Sequence, residues 1–130
     1  MKLTVSDSSK TKDVVKRAFY LAWVACGGPL GMGFLQNNPG ASEDDVWKNV
    51  CHDGDYSGSF HNNKVEDGKG EVYGDYVYGR MMKTGIKWDG DAITVRDETP
   101  RHDYQAWCRK YPTYDAVVRE AANQLGVTLS

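Results

Sequence analysis

Cysteine is scarce and odd in number: Cys26, Cys51 and Cys108 are the three in a chain of 130 residues. None belongs to a CxxC pair, so neither a disulfide framework nor a paired-thiol zinc site is encoded. The expectation is three reduced, mostly buried thiols in a cytoplasmic protein. Basic residues are not in excess either. Sixteen Lys and Arg stand against eighteen Asp and Glu, for a formal net charge of -2. General nucleic-acid binding is therefore not expected, although the balance is compatible with a local basic patch. No apolar run approaches the ~20 residues of a membrane span, and the longest, 18–26, already has helical periodicity. No basic stretch followed by an apolar core opens the chain, so no secretory signal is expected. Internal repeats and low-complexity linkers are absent.

What remains is the balance of a folded chain. Forty per cent of the residues are hydrophobic and twelve per cent aromatic, enough for one core. Leu3-Thr4-Val5 predicts a short opening strand. Ser8, Ser9 and Thr11 offer helix caps ahead of Val15, Ala18, Phe19, Ala22, Trp23 and Cys26, which recur at helical spacing. Gly27-Gly28-Pro29 ends that helix. Ser42 and the acidic residues 43–45 predict a second helix start, with Val46, Trp47 and Val50 on its apolar side. Residues 55–74 read as a hairpin or mobile flap, with turn signals at Asn62-Asn63 and Asp67-Gly68. Asp75 is expected to cap a third helix through Thr84, at a cost of about 1 kcal/mol for Gly79 inside it. Ile86 to Val95 predicts a hairpin turning at Asp89-Gly90. Thr113 caps a last helix with Val117, Ala121 and Leu125 inward and Gly126 at its end. The expected fold is α+β: one compact domain over residues 1–130, a small antiparallel sheet packed with about four helices.

Several chemical motifs fail on spacing. Gly28 to Gly33 is glycine-rich, but it is neither GxxxxGK[ST] nor GxGxxG between a strand and a helix. A turn or packing role explains it better than ligand contact does. His52, His61 and His102 are dispersed, and no metal site is expected from them with Cys51 and Cys108. Asp44, Asp45, Asp53 and Asp55 bracket the second helix and read as caps and solvated charge. No acid–base pair stands out as catalytic, so an enzyme is not expected, and no cofactor.

The segment from Arg96 to Tyr114 is the most suggestive. It combines Arg96, Arg101, His102, Asp103, Tyr104, Trp107, Arg109, Lys110, Tyr111 and Tyr114. Arginine forks bind phosphate or carboxylate, and aromatic rings stack on bases. Arg80, Trp47 and Tyr56 are candidates to join them in three dimensions. The candidate ligand-binding set is therefore Arg80, Arg101, Asp103, Tyr104, Trp107, Arg109, Trp47 and Tyr56, for a small anionic ligand such as a nucleotide. The competing reading is ordinary packing, with aromatic residues in the core and arginines paired to Asp97, Glu98 and Asp103.

Five pieces of the chain carry a resemblance. Leu30-Gly-Met-Gly-Phe, Asp45-Val-Trp, Asp75-Tyr-Val-Tyr-Gly-Arg-Met-Met-Lys, Asp103-Tyr-Gln-Ala-Trp-Cys and Tyr111-Pro-Thr-Tyr resemble stretches of small proteins from phages and prophages. Among these, the chain is similar to the anti-Thoeris signal sponges. That resemblance implies a homo-oligomer that sequesters a cyclic ADP-ribose-type defence signal without cleaving it, in the cytoplasm of the host cell. No site residue of that family is carried onto this chain. The alternative expectation is a protein-binding inhibitor of a host defence enzyme, since Tyr, Trp, Met and Arg anchor interfaces.

Overall fold

The structure is a computed structural model, and it describes residues 1–25, 40–50, 64–66, 69–72, 75–77, 80–82, 86–95 and 110–130. The strands are β1 (Lys2–Thr4), β2 (Lys64–Glu66), β3 (Lys69–Val72), β4 (Asp75–Val77), β5 (Arg80–Met82), β6 (Ile86–Asp89) and β7 (Ala92–Thr94). The helices are α1 (Thr11–Ala25), α2 (Glu43–Val50) and α3 (Tyr114–Leu125). The fold is α+β, as the residue pattern predicts.

Five strands form one antiparallel sheet in the order β1-β7-β6-β3-β2. Its two faces follow from the period of two. In β1 and the residue after it, Leu3 and Val5 are buried and Lys2 is exposed. In β6 Ile86 and Trp88 are buried while Lys87 and Asp89 are exposed, and in β7 Ile93 is buried beside exposed Thr94. The register aligns Leu3, Ile93, Trp88, Gly70 and Val65 across the sheet. A polar row runs beside it through Lys2, Thr94, Lys87, Glu71 and Lys64. One face is thus sorted for the core and the other is polar.

The β6–β7 hairpin is present, but its loop is Gly90-Asp91. Asp89 pairs with Ala92, so Asp89 belongs to the strand. Gly90 has φ +60°, the angle that a tight two-residue turn demands of its first position. The β1 edge is covered by the C-terminal residues. Thr4 and Ser130 exchange backbone hydrogen bonds at 2.9 Å, and Ser6 N–H donates to Thr128 C=O at 3.0 Å.

The expected helix over 75–84 is not formed. Residues 75–77 and 80–82 are instead β4 and β5, an antiparallel pair separate from the larger sheet, with Val77 opposite Arg80. Tyr76, Val77 and Tyr78 favour extended backbone, and Gly79 penalises a helix interior, so the local preferences sum to a hairpin. Farther upstream, β2 and β3 pair as a hairpin within the 55–74 segment, with Glu66 opposite Lys69.

α1 buries Val14, Val15, Ala18, Phe19 and Ala22, and α3 buries Val117, Val118, Ala121 and Ala122. Alanine at four of these positions lets the two helix backbones approach closely. These residues share one core with Leu3, Val5, Ile86, Trp88 and Ile93. Asp7, not Ser8 or Ser9, caps the approach to α1. Its carboxylate accepts from Ser9 N–H at 3.0 Å and from the Ser9 hydroxyl at 2.7 Å, closing a 3₁₀ turn over Ser8–Lys10. α3 ends at Gly126, whose φ of 68° is left-handed. There Val127 N–H donates to Ala122 C=O at 2.8 Å and Gly126 N–H to Asn123 C=O at 3.2 Å, a Schellman closure.

Candidate ligand-binding site

α2 carries Trp47, one of the two candidate residues among those described. Ser42 and Asp45 start it by capping each other. Asp45 N–H donates to Ser42 Oγ at 3.2 Å, and Ser42 N–H donates to Asp45 Oδ2 at 3.3 Å. Two backbone donors that the helix leaves open are thereby satisfied. Three acidic residues fill the first turn, where the helix dipole favours them. Val46 points into the core and is buried, and Trp47 beside it is half-buried against the same core. The Trp47 ring meets Trp88 of β6 with centroids 6.0 Å apart and planes tilted by 45°.

α2 is tied to α1 by charge. Lys16 pairs with Asp44, and Arg17 pairs with Glu43. Arg17 also donates from Nη1 to Gln124 Oε1 of α3 at 3.0 Å. Neither Trp88 nor this set of ion pairs was anticipated from the sequence. The signals existed: Trp88 occupies an inward position of an alternating strand, and acidic residues 43 and 44 are matched by basic residues 16 and 17. Which of those charges meet depends on how two helices cross.

Arg80 lies in β5, paired across the strands with Val77. Tyr56, Arg101, Asp103, Tyr104, Trp107 and Arg109 lie outside the described residues, as do Cys26, Cys51, Cys108 and the glycine-rich stretch 28–33. The boundaries of the arginine–aromatic segment are described. On one side Val95 is buried and exchanges backbone hydrogen bonds with Met1, its N–H donating at 2.9 Å and its C=O accepting from the Met1 amine at 2.8 Å. On the other side Tyr111 is buried in the core ahead of α3. Burial pushes the Tyr111 phenol above its ordinary range, and the charge of Glu120 adds to this. Tyr111 is thus a packing residue, while Lys110 beside it is exposed.

Among the described residues, no group of three or more His, Cys, Asp or Glu is placed to hold a metal ion. No described helix is long and apolar enough to cross a membrane. Comparison of the chain with protein-family models, with curated proteins and with solved structures finds no match.

Proposed function

We propose that this chain is a non-enzymatic accessory protein of a phage or prophage that binds and sequesters a small anionic, nucleotide-type signal of the cyclic ADP-ribose class. The observation that carries the reading is the arginine–aromatic segment between Val95 and Tyr111. Both of these residues are anchored in the core, so the two ends of the segment are fixed by the scaffold. In this reading Arg101 and Arg109 neutralise phosphate, and Tyr104 and Trp107 stack on the base. Arg80, Asp103, Tyr56 and Trp47 complete the set. Trp47 supports it with a half-buried ring held by Trp88. A homo-oligomer would enclose the ligand more deeply than one chain of this size can, and the host cytoplasm is where such a signal is met.

The test is a nucleotide panel that includes cyclic dinucleotides and cyclic ADP-ribose isomers, read by thermal shift, with mass spectrometry of the recovered compound. The expected result is one compound that raises the melting temperature and returns intact, with the rise lost in Arg109→Ala. A compound that returns altered would make the chain an enzyme. No shift across the panel would move the reading to the protein-binding inhibitor, with a pull-down as the next step.

A further inference from the structure

Arg17 stands where three helices meet. From α1 its Nε donates to the Glu43 carboxylate of α2, and its Nη1 donates to Gln124 of α3. The neighbouring Lys16 pairs with Asp44, the residue after Glu43. Two bridges between consecutive residues resist both sliding and rolling of α2 along α1. The Arg17 and Glu43 side chains are only 29% and 25% exposed, so water and salt weaken this pair less than a fully solvated one.

An eight-residue helix is not stable by itself in water. Of its side chains described, Val46 alone is fully buried. Trp47 beside it rests on the core, and Ala41 just ahead of the helix is buried. Glu43 and Trp47 are four residues apart and lie on one side of α2. The carboxylate that Arg17 holds is therefore one turn from the indole that rests on Trp88, and turning the helix at Glu43 turns it at Trp47.

We propose that Arg17 is the positioning residue of α2. With Lys16 it forms a charge latch that sets Trp47 against Trp88, and release of the latch moves the indole off its partner while the core stays folded. The device makes the exposure of Trp47 depend on charge, whatever ligand the protein takes. Carboxylate neutralisation, charge reversal or competing ions on this side of α1 would each loosen it.

Two indoles at this separation couple their electronic transitions and produce a circular-dichroism band of paired sign that a lone indole lacks. Trp47→Phe measures how much of the band belongs to the pair. In Arg17→Met that part of the band is expected to be lost while unfolding stays cooperative. The double change Arg17→Glu with Glu43→Arg restores the pair in reverse and should recover the band relative to Arg17→Glu alone. If Arg17→Met does not fold, Glu43→Gln reads the same latch from its other side. A full band in Arg17→Met or Glu43→Gln, or no recovery in the double change, overturns the proposal.

Discussion

Asp115 accepts a 2.9 Å hydrogen bond from the Nε of Arg119, one turn further along α3. That bond is the main reason its carboxyl lies below the ordinary value of 3.8, and the Thr113 hydroxyl contributes after it. Asp115 also sits in the first turn of the helix, where negative charge is favoured. A depressed folded pKa contributes stability that is fully present above the unfolded pKa. It is lost as the pH falls through the folded value. Asp115→Asn should therefore flatten the acid limb of the stability profile. Its cost at neutral pH should stay below about 1 kcal/mol, because Arg119 is largely solvated. Urea midpoints measured from neutral to acid pH for both proteins check this. An unchanged acid limb in Asp115→Asn would show that the pair contributes nothing to folding.

The end of α3 isolates a pure backbone effect. Gly126 has φ +68°, and a Cβ built there meets nothing within 4 Å. Gly126→Ala therefore meets no steric obstacle, yet must hold a left-handed angle that costs an L-residue roughly 1–2 kcal/mol. Gly126→Asn should cost less, since asparagine tolerates that region better. Chemical denaturation is expected to rank glycine above asparagine above alanine. Equal stability of all three would mean that the helix end rearranges.

These two sites also show what could be read from the chain before its fold was known. Gly126 after an inward-facing helical pattern, and Gly90 between two alternating strands, are local signals. Backbone angles and periodicity decide them within a few residues. α1, α2, α3 and the β6–β7 hairpin were legible for that reason. The 75–84 segment was not. Val77 and Met81 fit a helical spacing, while the extended preference of Tyr76 to Tyr78 and the helix penalty of Gly79 argued otherwise. Competing local preferences of similar size are settled by pairing, as β4 and β5 show. The candidate site is less legible still. Trp47 could be named from its apolar helix face, but its partner Trp88 lies 41 positions away in the chain and is brought to it by the sheet. An aromatic residue in the suggestive segment, Tyr111, serves the core. Composition alone does not separate the packing ring from the binding ring.

Charge order across the polar face of the sheet bears on how β3 finds its register. Glu71 stands in line between Lys87 of β6 and Lys64 of β2, and Lys69 stands between Asp89 and Glu66. Charge alternates in both rows. A slip by one residue would also turn the apolar row to the wrong face. Glu71→Lys would place three lysines at adjacent positions of one row. Two cross-strand pairs at ~0.2–1 kcal/mol each predict a loss of roughly 0.4–2 kcal/mol. Added salt should recover part of it by screening exposed charge. Thermal melts at low and high ionic strength test both points, and a salt-independent loss would assign the effect to something other than charge.

Trp47 and Arg109 allow packing and ligand binding to be separated by experiment. Trp47 rests on the core and on Trp88, so Trp47→Ala should destabilise the ligand-free protein. About half the cost of a fully buried aromatic truncation is expected, on the order of 2 kcal/mol. Trp47→Phe keeps a ring in place and should cost less. Under the proposed function, Arg109 acts on the ligand's phosphates, so Arg109→Ala should leave the ligand-free melting temperature close to wild type. In the presence of the compound identified by the panel, Arg109→Ala should lose the thermal shift, while Trp47→Phe should retain part of it through stacking. A large drop in the ligand-free melting temperature of Arg109→Ala, with binding intact, would make Arg109 a structural residue and remove it from the site. A full shift in Trp47→Ala would remove Trp47 from the site, leaving its contact with Trp88 as its role.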